Sequence, residues 1–187
     1  VQTEEAPTGA TDGIHLFYNP KWFENLNELQ RIGFLAHEVM HVVLLHHTRR
    51  EEREPERWNV AADYAINNHL IKENFFLPDG GLVDPQYDDM STEHIYSLLP
   101  KQDTEKLDPG KCGGVIDHPD SNGDAKGAIE ASLAVAINQA AEAARATGKL
   151  SSNIEELVGT VVKPKVNWKA VLARFLRSNN KTDFTWQ

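Results

Sequence analysis

The sequence predicts an α+β fold that is mainly helical, with a small edge sheet near its start and a helical buttress at its C-terminal end. Most long stretches either repeat apolar residues at helical spacing or are rich in alanine. Only residues 14–18 alternate apolar and polar side chains as a half-buried strand does. The 187 residues, 40% of them hydrophobic, suffice for one core, so we expect a single domain over residues 1–187.

The first half of the chain predicts one strand and three helices. Asn27 and Gln30 have the spacing of a capping box, which predicts that a long helix begins beside them. Pro55 is expected to end the helical pattern. The next helix has an alanine-rich face that permits close packing on a neighbour. In order, we expect an edge strand at 14–18, a short helix around 22–26, a long helix over 28–50 and a second long helix over 57–74.

The second half is predicted to be helical apart from one polar excursion. Residues 101–127 are rich in glycine, aspartate and proline, and we expect a flexible segment there that could act as a lid. Each remaining helix has a start or stop signal. These are a short helix after Ser91 that ends at Pro100, an alanine-rich helix over 128–147 followed by Gly148, a helix opened by Ser152 and Glu155, and a final helix after Asn167.

Composition and charge exclude several classes of protein. The chain carries 28 acidic and 19 basic residues, a net charge of -9, without a dense basic block, so we expect no nucleic-acid partner. No apolar run approaches the roughly 18 residues of a membrane span, and the first residues lack the pattern of a signal peptide. Cys112 is the single cysteine, which excludes an internal disulfide and favours a reducing, cytoplasmic setting. Because the sequence starts at valine and stops at glutamine, we expect it to be part of a longer protein.

One apolar segment, residues 34–47, contains more polar rings than a buried helix needs for packing. Residues 37–41 read H-E-V-M-H, the pattern H-E-x-x-H. Residues four apart on a helix lie about 40° apart around its axis, so both imidazoles can reach one zinc ion. Glu38 lies near enough to take a proton from a water at that ion. The motif therefore predicts a zinc-dependent hydrolase with Glu38 as its general base.

A catalytic zinc ion usually has three protein ligands, and the sequence leaves the third one open. His47 follows His37 at a spacing that some zinc peptidases use, but those proteins have a glycine where this chain has Leu44. On an unbroken helix His46 would point about 180° and His47 about 80° away from His37. We expect both to cap the helix or to support the site rather than to bind the ion.

Asp63 is the stronger third ligand on the residues alone. It lies 22 residues after His41, on the packing face of the next helix, where an unpaired carboxylate would be costly. Pairing with an arginine such as Arg31 or Arg57 is the alternative explanation. The other choice is Asp117 with His118 in the segment V-I-D-H, where we expect a role near the substrate.

Several segments resemble a family of bacterial and phage metallopeptidases, in which a zincin-like domain often precedes a von Willebrand factor A-like domain. The matching stretches are TDGIHLFYNP, LAHEVMHVVLLHHTRR, WNVAADYAINNHL, LPDGGLVDPQYDDMSTEHIY and VNWKAVLARFL, which span most of the chain. The coupling of H-E-x-x-H to the W-N-x-A-A-D helix is the most specific part. The resemblance implies a zincin-like fold, His37, His41 and Asp63 as ligands of one zinc ion, and Glu38 as general base.

The resemblance also implies partners. The substrate would be a peptide or protein, and a MoxR-type ATPase is an expected partner because related genes often neighbour such ATPases. A von Willebrand-like domain is absent from these 187 residues, so partner binding by such a domain is not assigned to this chain.

The leading hypothesis is hydrolysis of a peptide bond by a zinc-activated water. A strand near residues 14–18 could pair with an extended peptide, and Asn59 or Asn67, one turn either side of Asp63, could hold a backbone carbonyl. The alternative is a non-catalytic protein-binding module whose zinc site is structural; a fourth protein ligand would favour it. The candidate donors to an oxyanion are His94, Tyr64, Tyr87 and Tyr96.

Overall fold

Helices make up most of the structure, a computed structural model that describes residues 1–4, 6–100, 114–116 and 124–162. The prediction of a mainly helical fold with a small sheet is confirmed. No helix among these residues is long and apolar enough to cross a membrane. The elements are β1 (Gly9–Thr11), β2 (Leu16–Tyr18), α1 (Pro20–Asn25), α2 (Glu28–Val43), α3 (His46–Arg49), α4 (Pro55–Lys72), a 3-10 helix (Pro85–Tyr87), α5 (Thr92–Leu98), α6 (Asp124–Ala146) and α7 (Ser152–Val162).

The sheet consists of β1 and β2, which pair antiparallel with Gly9 opposite Tyr18. The strand predicted at 14–18 is confirmed in its second half, but its outer edge is already paired. Tyr18 forms a parallel bridge with Gln2 on that side, and the Tyr18 carbonyl accepts from the Thr3 N–H at 3.0 Å. The edge on the other side of the sheet is β1, where Thr11 bridges to Val115. Strand β2 is therefore an edge of the two-stranded sheet, as predicted, but residues at the start of the chain already pair with it at Tyr18.

Helix α2 begins as predicted and ends earlier than predicted. The Asn27 side chain accepts from the Gln30 N–H at 2.9 Å, and the Gln30 side chain accepts from the Asn27 N–H at 3.2 Å, which is the capping box. The helix ends at Val43, because Leu45 adopts a left-handed conformation with φ 55° and α3 starts in a new direction. The Arg49 guanidinium donates to the Leu44 carbonyl at 2.8 Å and so stabilises this break. The prediction of one helix over 28–50 is wrong.

Helix α4 is the central element and contacts both α2 and α5. Pro55 is predicted to end the preceding helical pattern, but it begins α4 instead. A proline in the first turn of a helix loses no hydrogen bond. The Glu54 side chain caps it by accepting from the Glu56 and Arg57 N–H groups. Its buried residues complete two apolar clusters. The first contains Val60, Ala61, Tyr87, Ile95 and Leu99, and the second contains Met40, Leu44, Ile66 and Leu70.

The last helices follow the predicted order with shifted starts. Ser91 caps α5 by accepting from the His94 N–H at 3.2 Å, as expected. Helix α6 begins at Asp124, before the predicted start at 128, and Gly148 after its end has φ 65°. Helix α7 is capped by Ser151, whose hydroxyl accepts from the Ile154 N–H at 3.2 Å, so the predicted cap at Ser152 is one residue late. The helix predicted after Asn167 lies outside the described residues.

Candidate metal centre

Three side chains of α2 and α4 meet in the interior, at the place where the two helices pack. The Nε2 atoms of His37 and His41 lie 3.0 Å apart. Asp63 Oδ1 lies 3.5 Å from His37 Nε2 and 3.3 Å from His41 Nε2. One ligand atom of each residue therefore lies within 4.8 Å of the others, in a cluster that could hold a metal ion. Of the proposed third ligands that lie in the described residues, Asp63 is the one in this cluster.

Local structure explains why these side chains converge. The spacing of four residues puts both histidines on the face of α2 that packs on α4. On α4, Asp63 shares a helix face with Ile66 and Leu70, which pack with Met40 and Leu44 in the second apolar cluster. The side chains of His37, His41 and Asp63 are at most 1% exposed. Three groups with lone pairs thus face one another away from solvent.

An amide fixes the orientation of the His37 ring. Asn67 Nδ2 donates to the Leu82 carbonyl at 3.0 Å, so Asn67 Oδ1 is the atom that faces His37 Nδ1, at 2.8 Å. Because this oxygen can only accept, His37 carries its proton on Nδ1. The lone pair on Nε2 then points into the cluster, which is the tautomer that a metal ligand requires.

A chain of buried polar groups extends from the second histidine. His41 Nδ1 lies 3.1 Å from His46 Nδ1, and His46 Nε2 lies 2.9 Å from the Thr92 hydroxyl. The Trp58 indole N–H donates to the His46 carbonyl at 3.0 Å and holds α3 against α4. His46 therefore faces the cluster because the helix breaks at Leu45. The predicted direction, about 180° away from His37, is wrong, whereas the predicted supporting position is the one observed.

Glu38 is buried beside the cluster without a hydrogen-bond partner. It is 1% exposed, and neither carboxylate oxygen has a partner among the described residues. Burial raises the pKa of Glu38 to about 8, against an opposing effect of His37. A buried carboxyl group without donors destabilises a fold, so its presence beside three potential ligands indicates a functional rather than a structural role.

The protonation of His41 and Asp63 suits a cation, whereas the raised pKa of His37 means that a cation must displace its proton. Burial would raise the pKa of Asp63, but hydrogen bonds with His37 and His41 hold it below its usual value. Burial lowers the pKa of His41 to about 4, more than the Asp63 carboxylate can offset. For His37, the same carboxylate outweighs burial and raises the pKa. At neutral pH His41 is therefore neutral and Asp63 ionised, which are the forms that bind metal ions.

Among the described residues, the cluster contains none of the other candidates. His47 is buried against Gly13, where an added Cβ would stand 2.5 Å from the His47 Nε2. The arginine alternative for Asp63 is wrong, because both arginines donate to main-chain carbonyls elsewhere. Arg31 donates to those of Phe23 and Glu24, and Arg57 to those of Tyr96 and Leu99. Asp117 and His118 lie outside the described residues.

The nominated oxyanion donors have other contacts. The Tyr96 hydroxyl accepts from the Glu54 N–H at 3.2 Å. The rings of Tyr64 and Tyr87 pack together with centroids 4.7 Å apart. His94 is exposed on α5. Their role in catalysis stays a prediction that none of these contacts supports.

Fold and cluster together define a helical protein with a candidate His-His-Asp metal site. The chain belongs to a family described as "Putative metallopeptidase domain", whose match covers residues 1–187. It is 25% identical over 198 residues to an "Uncharacterized protein" of Thermotoga maritima, in an alignment that covers 92% of this chain. The alignment covers 50% of that relative, so the chain spans about half of its length. No solved structure matches the chain.

Proposed function

We propose that the chain is a zinc-dependent, zincin-like metallopeptidase domain that hydrolyses peptide bonds with Glu38 as general base. One observation carries the proposal: the buried His37, His41 and Asp63 converge next to a buried glutamate that has no hydrogen-bond partner among the described residues. Membership of a metallopeptidase family supports it. A purely structural site has no use for that unpaired carboxylate.

The donor set suits zinc. Two imidazoles and one carboxylate are a common ligand set of catalytic zinc ions, and they leave the fourth position open. In the described part of the chain Asp63 is paired with the two imidazoles and with no lysine or arginine, so a cation would compensate a charge that is otherwise costly to bury. When bound, zinc lowers the pKa of a coordinated water to about 7 and polarises a carbonyl group.

The protein groups have separate roles in this mechanism. Asn67 and His46 hold the rings of His37 and His41 with their Nε2 atoms directed inward. Glu38 accepts a proton from the attacking water and delivers it to the nitrogen of the leaving amine. A nearby cation favours the ionised carboxylate, which lowers the pKa of Glu38 below the value of about 8 that burial produces in the metal-free protein.

A second candidate function is a non-catalytic protein-binding module with a structural zinc site. The burial of the cluster favours it, because the ligands are at most 1% exposed and a substrate needs access. Against it, the cluster in the described residues contains three potential ligands and no fourth, whereas structural zinc sites are usually closed by four.

Glu38→Gln separates the two functions. We expect this variant to keep its zinc and to lose hydrolysis of a fluorogenic peptide library by about 100-fold or more, the scale of general-base catalysis. Glu52→Gln, at an exposed position, is the matched control and should behave like the wild type. Equal hydrolysis by wild type and Glu38→Gln would contradict the proposed mechanism. Zinc binding without hydrolysis by any form would favour the structural site.

The partners that the sequence resemblance implies are part of the proposal. We expect a peptide or protein substrate and a MoxR-type ATPase as partner. The aligned region covers 50% of the relative, so we expect the ATPase to act with the whole protein. Direct titration of the purified ATPase against the full-length protein tests the second expectation. Absence of saturable binding, with and without ATP, would contradict it.

A further inference from the structure

A short backbone segment, Gly114–Ile116, lies between β1 and α4 and forms hydrogen bonds with both. The Thr11 N–H donates to the Gly114 carbonyl at 2.9 Å, and the Ile116 N–H donates to the Thr11 carbonyl at 3.0 Å. From the other side, the Asn59 amide accepts from the Val115 N–H and donates to the Val115 carbonyl, both at 3.3 Å. Each of these contacts uses main-chain groups of the segment, so none depends on its side-chain identities.

The two elements that hold this segment flank the candidate metal centre. Strand β1 crosses α2 at Gly9, where an added Cβ would stand 2.3 Å from the Phe34 ring. Phe34 lies one helical turn before Glu38 on the same face of α2. On the other side, Asn59 lies one turn before Asp63 on α4. The gap between Thr11 and Asn59 is therefore beside the general base and the third ligand.

We propose that Thr11 and Asn59 form a main-chain binding groove for an extended peptide, and that Gly114–Ile116 occupies this groove as an internal mimic that a substrate displaces. The inference rests on the proposed function and adds the residues that bind the peptide. Strand addition at β1 supplies two hydrogen bonds, to Gly114 and Ile116, and the Asn59 amide supplies two more, both to Val115. The groove selects extended polypeptide whatever its sequence.

Side-chain burial adds a preference at one position. Val115 is 7% exposed, whereas Ile116 is 46% exposed. The groove therefore favours a small aliphatic residue at the position of Val115 and accepts any residue after it. While the segment is bound, the edge that an extended substrate would pair with is occupied.

Internal occupation must weaken substrate binding. A tethered segment competes at an effective concentration of about millimolar, so a free peptide binds only in proportion to the fraction of open groove. Weakening the segment should raise the apparent affinity for a free peptide. The largest possible gain in affinity is the reciprocal of the fraction of molecules whose groove is already open.

Ile116→Pro weakens the segment at one atom, because proline lacks the N–H that donates to Thr11. Ile116→Ala keeps this N–H and is the matched control. Both are made in a zinc-loaded Glu38→Gln background so that the probe is not cleaved. The probe is the capped peptide Ac-GGVIDH-amide, which has the sequence of residues 113–118. Binding is followed by NMR at the Thr11 N–H and the Asn59 side-chain amide.

We expect the peptide to shift both signals and to bind the proline variant at least tenfold more tightly than the alanine control. Equal affinity in the two variants, or binding that leaves the Thr11 and Asn59 signals unmoved, would overturn the inference. Asn59→Leu in the proline background should weaken peptide binding at least tenfold with an unchanged circular dichroism spectrum. Unchanged affinity there would also overturn it.

Hydrolysis separates this inference from the proposed function. With Glu38 restored, Ile116→Pro should raise kcat/KM at least tenfold over Ile116→Ala. Peptide binding in the groove without hydrolysis by any variant would refute the peptidase and support the groove. Hydrolysis by wild type with equal kcat/KM in both variants would refute internal occupation and leave the peptidase standing.

Discussion

His46 Nδ1 lies 3.1 Å from His41 Nδ1, although a helix running through both residues would hold them on opposite faces. The break at Leu45 permits this contact. Because His41 needs a free lone pair on Nε2 to bind an ion, its Nδ1–H must donate to His46. The Thr92 hydroxyl then accepts from His46 Nε2, and the three groups form one directed chain.

Removing this support should weaken metal binding. We expect His46→Ala to lower zinc affinity about 10- to 100-fold, the usual effect of losing a partner of a metal-bound histidine. Competition with a chromophoric chelator measures it. His94→Ala removes an exposed histidine and is the matched control. Equal affinities in the two variants would show that His46 does not orient His41.

Asn67 provides a test at the other histidine. Asn67→Asp keeps an oxygen that can accept from His37 Nδ1, whereas Asn67→Leu removes it. Zinc affinity should therefore fall about 10- to 100-fold in the leucine variant and less in the aspartate variant. The same chelator competition measures both. Equal losses in the two variants would mean that the hydrogen bond from the Asn67 amide to the Leu82 carbonyl, which both variants lack, matters more than the acceptor.

Glu38 should lower the free energy of unfolding of the metal-free protein as the pH rises from 4.5 to about 8. Its pKa is raised to about 8 in the fold from an ordinary value of 4.5. Between these values the unfolded chain releases a proton that the folded chain keeps, so stability falls as the pH rises through this window. Glu38→Gln removes the effect and should be more stable than wild type by about 1–3 kcal/mol at pH 8.

Urea unfolding in chelator at pH 5 and pH 8 checks this prediction. The stability difference between Glu38→Gln and wild type should be larger at pH 8. Comparing variant with wild type at each pH removes the contribution of the other titrating groups. A difference that is constant or that shrinks with pH would contradict the burial-based account of Glu38.

Gly33 lets α2 approach a neighbouring backbone. A Cβ at this position would stand 2.0 Å from the Phe76 carbonyl oxygen, which is main chain and cannot rotate away. Gly33→Ala should therefore destabilise the protein by about 1–3 kcal/mol. Gly127, exposed in α6, has nothing within 4 Å of such a Cβ, so Gly127→Ala should stabilise by about 0.5–1 kcal/mol. Thermal unfolding compares them, and the same sign for both changes would contradict this explanation.

The sequence was sufficient to predict the cluster because its signals are local. Two histidines four apart must share a helix face, and the aspartate lies on the packing face of the next helix. The His46 contact could not be predicted in the same way. No glycine signals the turn at Leu45, which depends on contacts from Arg49 and Trp58 that are made only in the folded protein.

Two other features could not be predicted from the sequence for the same physical reason. Pro55 is compatible with the end of one helix or the first turn of another, and the sequence pattern alone does not decide between them. The outer edge of β2 looks free in sequence, but Gln2 pairs with it, and Val115 pairs with β1 from far along the chain. Pairings between distant segments leave no periodic signal in either segment.

Metal content tests the central claim most directly. Wild type, Asp63→Ala and the exposed control Asp79→Ala would be purified side by side without chelator and measured by elemental mass spectrometry. We expect about one zinc ion per chain in wild type and control, and marked loss in Asp63→Ala. Full zinc in all three forms, or none in wild type, would contradict a zinc site made of His37, His41 and Asp63.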